Sequence, residues 1–470
     1  MGHFVPHTDA EIDVMLDFMG LSSLDELFAV VPEALRLAAG AGAGVGGGDS
    51  GGGEPRHLDI PDGLSEPDVA VAMEHLAARN SVGADLLCFA GGGAYDHEVP
   101  STVRRVAMRS EFVTAYTPYQ PEVAQGVLQT LFEYQTMLAR LTGVEIANAS
   151  LYDGASACVE AVNLAAAATR RPVAWVSRGV NPNWREVMRT FAAGTGHEVV
   201  DVDLHDGVTR WPAGTTDSAT AGGGQPGAVV VQYPNYLGCL EDLAEARRVA
   251  DDHGALLVVA FDPVAAGLLH SPGSFGADVV VGEGQPFGTP LSFGGPYLGL
   301  FACRKEHVRR LPGRLVGETV DTEGRRAYVT TLRTREQDIR REKASSNVCT
   351  NQTLIAVCCA VQLAWLGTTG LQELALRCAR GARYTREAML GLDGVEPLVG
   401  SPVFREFAVR LPVPAAVAVE RMAEEGYLAG IALGNDTGEE YGDGLLVAVT
   451  ERRTRDEIDT YVAALEKVIR

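Results

Sequence analysis

Between residues 226 and 263 the chain reads PGAVVVQYPNYLGCLEDLAEARRVADDHGALLVVAFDP. A continuous apolar run is followed by a glycine-closed amphipathic stretch and then by a second continuous apolar run. Strands without polar alternation are covered on both faces, and two of them joined by a helix-length crossover lie parallel. This unit constrains the fold to the α/β class, with a large, mainly parallel sheet between helical layers.

The pattern begins upstream. AQGVLQTLFEYQTMLARLTG has helical spacing and ends on Gly143, DGASACVEAVNLAAAATRR is a second helix, PVAWVS reads as a strand, NWREVMRTFAAGTG as a helix and EVVDVD as a strand. Downstream, NQTLIAVCCAVQLAWLG is helix-prone. The stretches FREFAVRL, AAVAVERMAEEG, LLVAVTE and RDEIDTYVAALEKVI read as a separate, smaller α+β domain. Two capping boxes, Thr8-x-x-Glu11 and Ser23-x-x-Glu26, predict a helical N-terminal arm. Residues 39–53 are nearly all Gly and Ala and predict a flexible insertion; Ser65 caps the next helix. The expected division is 1–79 arm, 80–335 large domain and 336–470 small domain.

With 39 basic against 61 acidic residues, the net charge is −22. That argues against nucleic acid or an anionic membrane as partner, since both are held by clustered cations. The N-terminus lacks a basic start followed by an apolar run, and no segment approaches 18 uninterrupted apolar residues, so a cytoplasmic protein is expected. Eight cysteines without a C-x-x-C pair are read as reduced packing residues, with no metal site. Only three lysines occur, Lys305, Lys343 and Lys467. Any lysine-based chemistry must use one of these or borrow one.

Ligands of open α/β sheets bind beyond the carboxyl ends of the strands. Asp153, Gly154 and Ser156 open a helix whose free amides suit an anion such as phosphate, or form an ordinary N-cap. Asp262 ends a strand, where a carboxylate either pairs with the ring nitrogen of a pyridine cofactor or caps a loop. Residues 111–126, EFVTAYTPYQPEVAQG, hold Tyr116, Thr117, Tyr119, Gln120 and Glu122 between prolines that fix extended backbone, either as a presenting loop or as a packed connector. At a further strand exit, DVVVGEGQPFGTP, stands Gln285, whose amide is neither nucleophile nor base.

The order of these features resembles pyridoxal-phosphate enzymes of the aspartate-aminotransferase-like class, fold type I, whose Schiff-base lysine sits at that last exit. More specifically, FVPHTDAEIDVML, GGGAYDH, SEFVTAYTPYQPEVAQG, NASLYDGASA, VVVQYPNYLG, VVVGEGQPFGTPLSFGGPYLG, LPGRLVGETVD and REKASSNVCTNQ resemble the first subunit of two-subunit glycine cleavage system P proteins, nearly end to end. The resemblance implies a lysine-less half, with Gln285 at the lysine position. Its partner is then a homologous second subunit carrying the lysine and pyridoxal 5'-phosphate, in an α2β2 heterotetramer. The implied reaction is glycine decarboxylation with transfer of the aminomethyl group to the lipoyl group of the H protein. Tyr116, Thr117, Tyr119, Gln120 and Glu122 are expected to reach toward the partner's pocket, with Tyr95 and His97 of GGGAYDHE nearby. Asp153, Gly154, Ser156, Asp262 and Gln285 are expected to line a vestigial one. Glu98 stands where that pattern commonly has an aromatic, which leaves open a paralogue with another amine or carrier-bound substrate. A non-catalytic scaffold or regulatory protein and a stand-alone enzyme using Lys343 also stay open at the level of the residues.

Overall fold

The computed structural model describes residues 7–32, 35, 63–81, 86–113, 119–212 and 224–470. The Gly/Ala stretch 39–53, Tyr116 and Thr117 lie outside the described residues. The chain divides into two units, 1–80 and 81–470.

In the first unit, α1 (Asp9–Met19) opens with the expected capping box: the Glu11 amide donates to Thr8 Oγ1 at 3.4 Å and the Thr8 amide to Glu11 Oε2 at 2.8 Å. The second box is displaced by one residue. Ser23 precedes a 3₁₀ turn, Leu24–Phe28, and its hydroxyl makes no capping hydrogen bond. Glu26 instead accepts from the Ser22 amide at 3.0 Å. Ser65 caps α2 (Glu66–Ala77) as expected.

The second unit is built on a seven-stranded sheet. Its strands are β1 (Ile146–Ala147), β2 (Val173–Ser177), β3 (Glu198–Val202), β4 (Pro226–Tyr233), β5 (Leu256–Phe261), β6 (Val279–Glu283) and β7 (Gly299–Cys303). Their order is β1-β7-β6-β5-β4-β2-β3, with β7 alone antiparallel to its neighbours. Along β4, Val229 and Val231 join one core cluster while Ala228 and Val230 join the other, which is why the strand is apolar at every position. Burying a Val or Leu side chain contributes roughly 1.5–3 kcal/mol, so both faces of the strand hold it in the interior. α3 (Gln125–Thr142), α4 (Gly154–Thr169), α5 (Pro182–Thr195) and α6 (Leu243–His253) supply the flanking layers, and Gly143, Gly196 and Gly254 end three of them in left-handed conformation.

α7 (Thr353–Met389) is long and apolar enough to cross a membrane by length and composition. It breaks at Gly367, whose φ is 57° and ψ −172°, and it buries Ala356, Cys359, Ala360, Leu371, Leu374 and Ala375 in the main core. A smaller antiparallel sheet follows, with β8 (Glu396–Pro397), β9 (Glu406–Arg410), β10 (Ile431–Ala432) and β11 (Gly444–Ala448) in the order β8-β9-β11-β10. α8 (Ala415–Glu424) and α9 (Arg455–Ile469) cover it around Phe407, Val409, Met422, Val447, Tyr461 and Leu465. Gly238, at φ 82°, lets the loop after β4 pass so close to β9 that a Cβ there would stand 1.8 Å from the Glu406 carbonyl oxygen. All eight cysteines are free; seven are buried, and Cys349 is exposed, contrary to its reading as a packing residue.

Candidate active site and its closure

β5 and β6 end side by side at the carboxyl edge of the sheet, and the loop 91–98 and the start of β9 come down on them. Asp262 leaves β5 and caps the next turn, accepting from the Val264 amide at 3.0 Å. Its other oxygen pairs with Arg405 Nη2 at 2.8 Å. Arg405 is 2% exposed, lies 3.7 Å over the Tyr95 ring and also bonds His97 Nε2. Burial works against charge on this guanidinium, yet Asp262 raises its pKa above the ordinary value. His97 Nδ1 in turn meets Glu451 Oε2 at 2.6 Å. Burial opposes ionisation of Glu451, but the His97 ring and the Glu98 amide hold its carboxyl down at about 2. The Tyr95 hydroxyl donates to Glu406 Oε2 at 2.9 Å, while Glu406 Oε1 accepts from the Gly92 amide at 2.7 Å. Burial pushes Glu406 up to about 7.

Gln285 has no exposed surface. Its Oε1 accepts from the Tyr95 amide at 3.0 Å, and its Nε2 donates to the Tyr95 carbonyl at 3.0 Å and the Thr289 carbonyl at 2.8 Å. The side chain thus clamps loop 91–98 to the exit of β6. Two residues earlier, Glu283 accepts three backbone amides: Gly154 at 3.0 Å, Gln285 at 2.9 Å and Leu298 at 2.8 Å. Burial pushes this carboxyl up to about 8, against the pull of those amides. At the start of α4, Asp153 accepts from the Ser156 amide at 2.6 Å.

These contacts decide whether the pocket suits pyridoxal phosphate. The amides of Gly154 and Ser156, which a phosphate at this helix start would use, are already held by two carboxyl groups. Asp262 is engaged by Arg405, and Gln285 offers no nucleophile. Tyr95, Trp184, Gln232, Asp262 and Arg405 line a small cavity at this edge. A neighbouring cleft of about 560 Å³ is lined by Asp153, Glu283 and Asp436 and by no Lys or Arg, the reverse of a phosphate site. The residues present do not fit the cofactor.

Tyr95, His97, Asp262 and Gln285 therefore belong to one buried network, with Asp153, Gly154 and Ser156 beside it. Tyr119 belongs to another cluster. Its hydroxyl bonds Asn351 Oδ1 and lies 3.3 Å from Thr353 Oγ1, and the Arg314 guanidinium stands 5.2 Å from its ring. Asn351 Nδ2 donates to Ser150 Oγ at 2.8 Å, and Ser150 holds the strained φ of 126°. Gln120 and Glu122 are exposed next to it. The sequence reading missed Glu283, Arg405, Glu406 and Glu451. The signal for the first three was present: a Glu ending an apolar strand, and Arg-Glu inside the apolar stretch FREFAVRL.

Compared with known proteins, residues 2–465 match the family of glycine cleavage system P-proteins. A "Probable glycine dehydrogenase (decarboxylating) subunit 1" of Desulforamulus reducens is 44% identical over 464 residues, covering 98% of this chain and 99% of that protein. Its namesake from Moorella thermoacetica is 44% identical over 466 residues, covering 99% of each. The crystal structure of a glycine decarboxylase (P-protein) of the glycine cleavage system, in inhibitor-bound form, superposes with a TM-score of 0.87 at 42% identity, over 99% of this chain and 100% of that one. Lactobacillus brevis glutamate decarboxylase, at 13% identity and a TM-score of 0.65 over 88% of this chain and 94% of that one, shares the fold.

Proposed function

The chain belongs to the glycine cleavage system P-protein family, the glycine-decarboxylating component of that system, and on this premise we propose that it is the half without the reactive lysine. The observation that carries this reading is the closure of its own pocket: Gln285 is sealed by three hydrogen bonds, and Glu283 and Asp153 occupy the Gly154 and Ser156 amides at the start of α4.

On this reading a lysine-bearing homologue, the second subunit, holds pyridoxal phosphate, and the two chains form an α2β2 heterotetramer in the cytoplasm. The cofactor supplies an electron sink for the charge left on the substrate carbon when CO2 departs from glycine. This chain supplies walls. Tyr116, Thr117, Tyr119, Gln120 and Glu122, on a segment stiffened by Pro118 and Pro121, shape the partner's pocket, exclude water and orient the substrate. The aminomethyl group leaves on the lipoyl arm of the H protein. Tyr95 and His97 act at one remove, by holding loop 91–98 in place through Glu406, Arg405 and Glu451.

The test is to purify the chain gently from its native cells, record its visible spectrum and identify what accompanies it. The expected result is a colourless, inactive chain by itself. With a lysine-bearing homologue it becomes a yellow complex that releases CO2 from glycine. Tyr119→Phe is expected to lower turnover of that complex without loosening it. A chain that is yellow and active alone overturns the proposal.

A further inference from the structure

The starts of α4 and α5 border the cleft beside the closed pocket, and both are satisfied from within. At α4, Asp153 gives one oxygen to the Ser156 amide at 2.6 Å and Glu283 holds the Gly154 amide at 3.0 Å, which offsets the positive end of the helix. At α5, Pro182 has no N–H and the Asn183 amide is bonded by Asn181 Oδ1 at 2.9 Å. The cleft, about 560 Å³, has the size of a small-molecule pocket and is lined by the carboxyl groups of Asp153, Glu283 and Asp436. No described Lys or Arg lines it. Arg185 reaches the turn Asn435–Thr437 by bonding the Asp436 carbonyl, but spends its charge on Asp201 at 3.2 Å. Arg405, in the adjoining small cavity, is held by Asp262.

Thr437 is 2% exposed and lines the same cleft, yet its Oγ1 has no hydrogen-bond partner among the described residues. A buried hydroxyl without a partner is costly, and a ligand N–H would satisfy it. Trp184, Tyr236 and Tyr297 add aromatic rings to the walls. Trp184 leans on the start of α4 so closely that a Cβ on Gly154 would stand 2.3 Å from its Cζ2. Aromatic faces beside carboxylates attract organic cations. A metal ion is a poorer occupant. Among the described residues, three ligating atoms come within 4.8 Å of one another only at His97, Cys378 and Glu451 and at Asp278, Glu306 and His307, so the carboxyl groups of the cleft are too dispersed to share one ion.

We propose that this cleft binds a small alkylammonium ion, with its N–H groups held by Thr437, Asp153 and Asp436 and its carbon chain by Trp184, Tyr236 and Tyr297. A zwitterion such as glycine would bring a carboxylate against Asp153 and Asp436, and an anion would be repelled by both. The site uses residues of this chain alone and stands whether or not the glycine-cleaving reading does.

The experiment titrates the full chain, alone and as purified with its partner, with n-butylammonium chloride by calorimetry at constant ionic strength. The comparison solutes are n-butanol, butyrate, glycine and Mg²⁺. Butylammonium is expected to bind saturably and about tenfold or more tighter than each of these. Asp436→Asn, at an exposed position, should weaken it about tenfold. Thr437→Val should weaken it severalfold while leaving the thermal midpoint of the unliganded chain unchanged or higher, because the hydroxyl has no bond to lose. A threonine that served stability alone would show the reverse. Failure of butylammonium to bind the free chain overturns the proposal. So do equal binding of n-butanol, which would mark a merely apolar pocket, tighter binding of Mg²⁺, or unaltered affinity in both variants. Binding to the free chain that vanishes in the complex overturns it too, because a side chain of the partner then fills the cleft.

Discussion

Gln285→Lys returns an amine to the position where the resemblance places the reactive lysine, and the structure sets what this costs. The lysine can donate to the carbonyls of Tyr95 and Thr289 as Gln285 does, but it has no acceptor for the Tyr95 amide. That buried N–H left unpaired costs about 1–3 kcal/mol. Burying an ammonium at a position with no exposed surface adds about 2 kcal/mol or more, the Glu283 carboxyl two residues away offsetting part of it. We expect a loss of about 3–5 kcal/mol, a large fraction of a typical domain's stability. Urea unfolding followed by circular dichroism measures it. The loss should shrink as pH is raised toward about 10, because burial favours the neutral amine. With added pyridoxal phosphate, borohydride should fix no adduct at residue 285, since carboxyl groups hold the amides that the phosphate needs. A stable Q285K chain that takes up one equivalent of the cofactor at that lysine would refute the argument that the pocket is filled from within.

Three further outcomes follow from the same geometry. Asp262→Ala strands the buried Arg405 guanidinium and should cost about 3–5 kcal/mol, whereas Asp262→Asn combined with Arg405→Met should cost less than the two single changes summed; additivity would show the pair to be uncoupled. Glu406, at about 7, and Glu283, at about 8, lie above the ordinary 4.5, so the folded chain binds more protons than the unfolded one between those values, and its stability falls as pH rises through that window. Glu406→Gln should flatten the slope between pH 5 and 7 by up to about 1.4 kcal/mol per unit, and an unaltered slope excludes Glu406 as the source. Gly238→Ala should destabilise by at least about 3 kcal/mol, because its Cβ would meet the Glu406 carbonyl oxygen; Gly426→Ala, with φ 91° and open space, should cost only about 1–2 kcal/mol of backbone strain. Equal thermal midpoints for these two variants would count against the close approach.

Periodicity alone determined the layered architecture of this chain. Strands apolar at every position, such as AVVV in β4 and LLVVA in β5, need cover on both faces, which a mainly parallel sheet between helices gives. Helix ends were legible for the same local reason: Thr8, Ser65 and Asp153 cap through bonds to residues three positions on. The displaced box at Ser22 shows the limit, since Glu26 accepts from the Ser22 amide one position before the expected cap, a shift that the spacing of Ser23 and Glu26 does not disclose. Gln285 could be recognised as the wrong residue for lysine chemistry from one line of text. Only the tertiary structure decided what it does instead, because its partners Tyr95 and Thr289 lie 190 positions before it and four after it. Arg405 was equally out of reach: it is separated by 143 residues from Asp262 and by 308 from His97. Short-range pattern fixes which backbone groups a segment must satisfy or bury. Which distant charges then meet in a closed pocket depends on chain crossings that no local spacing encodes.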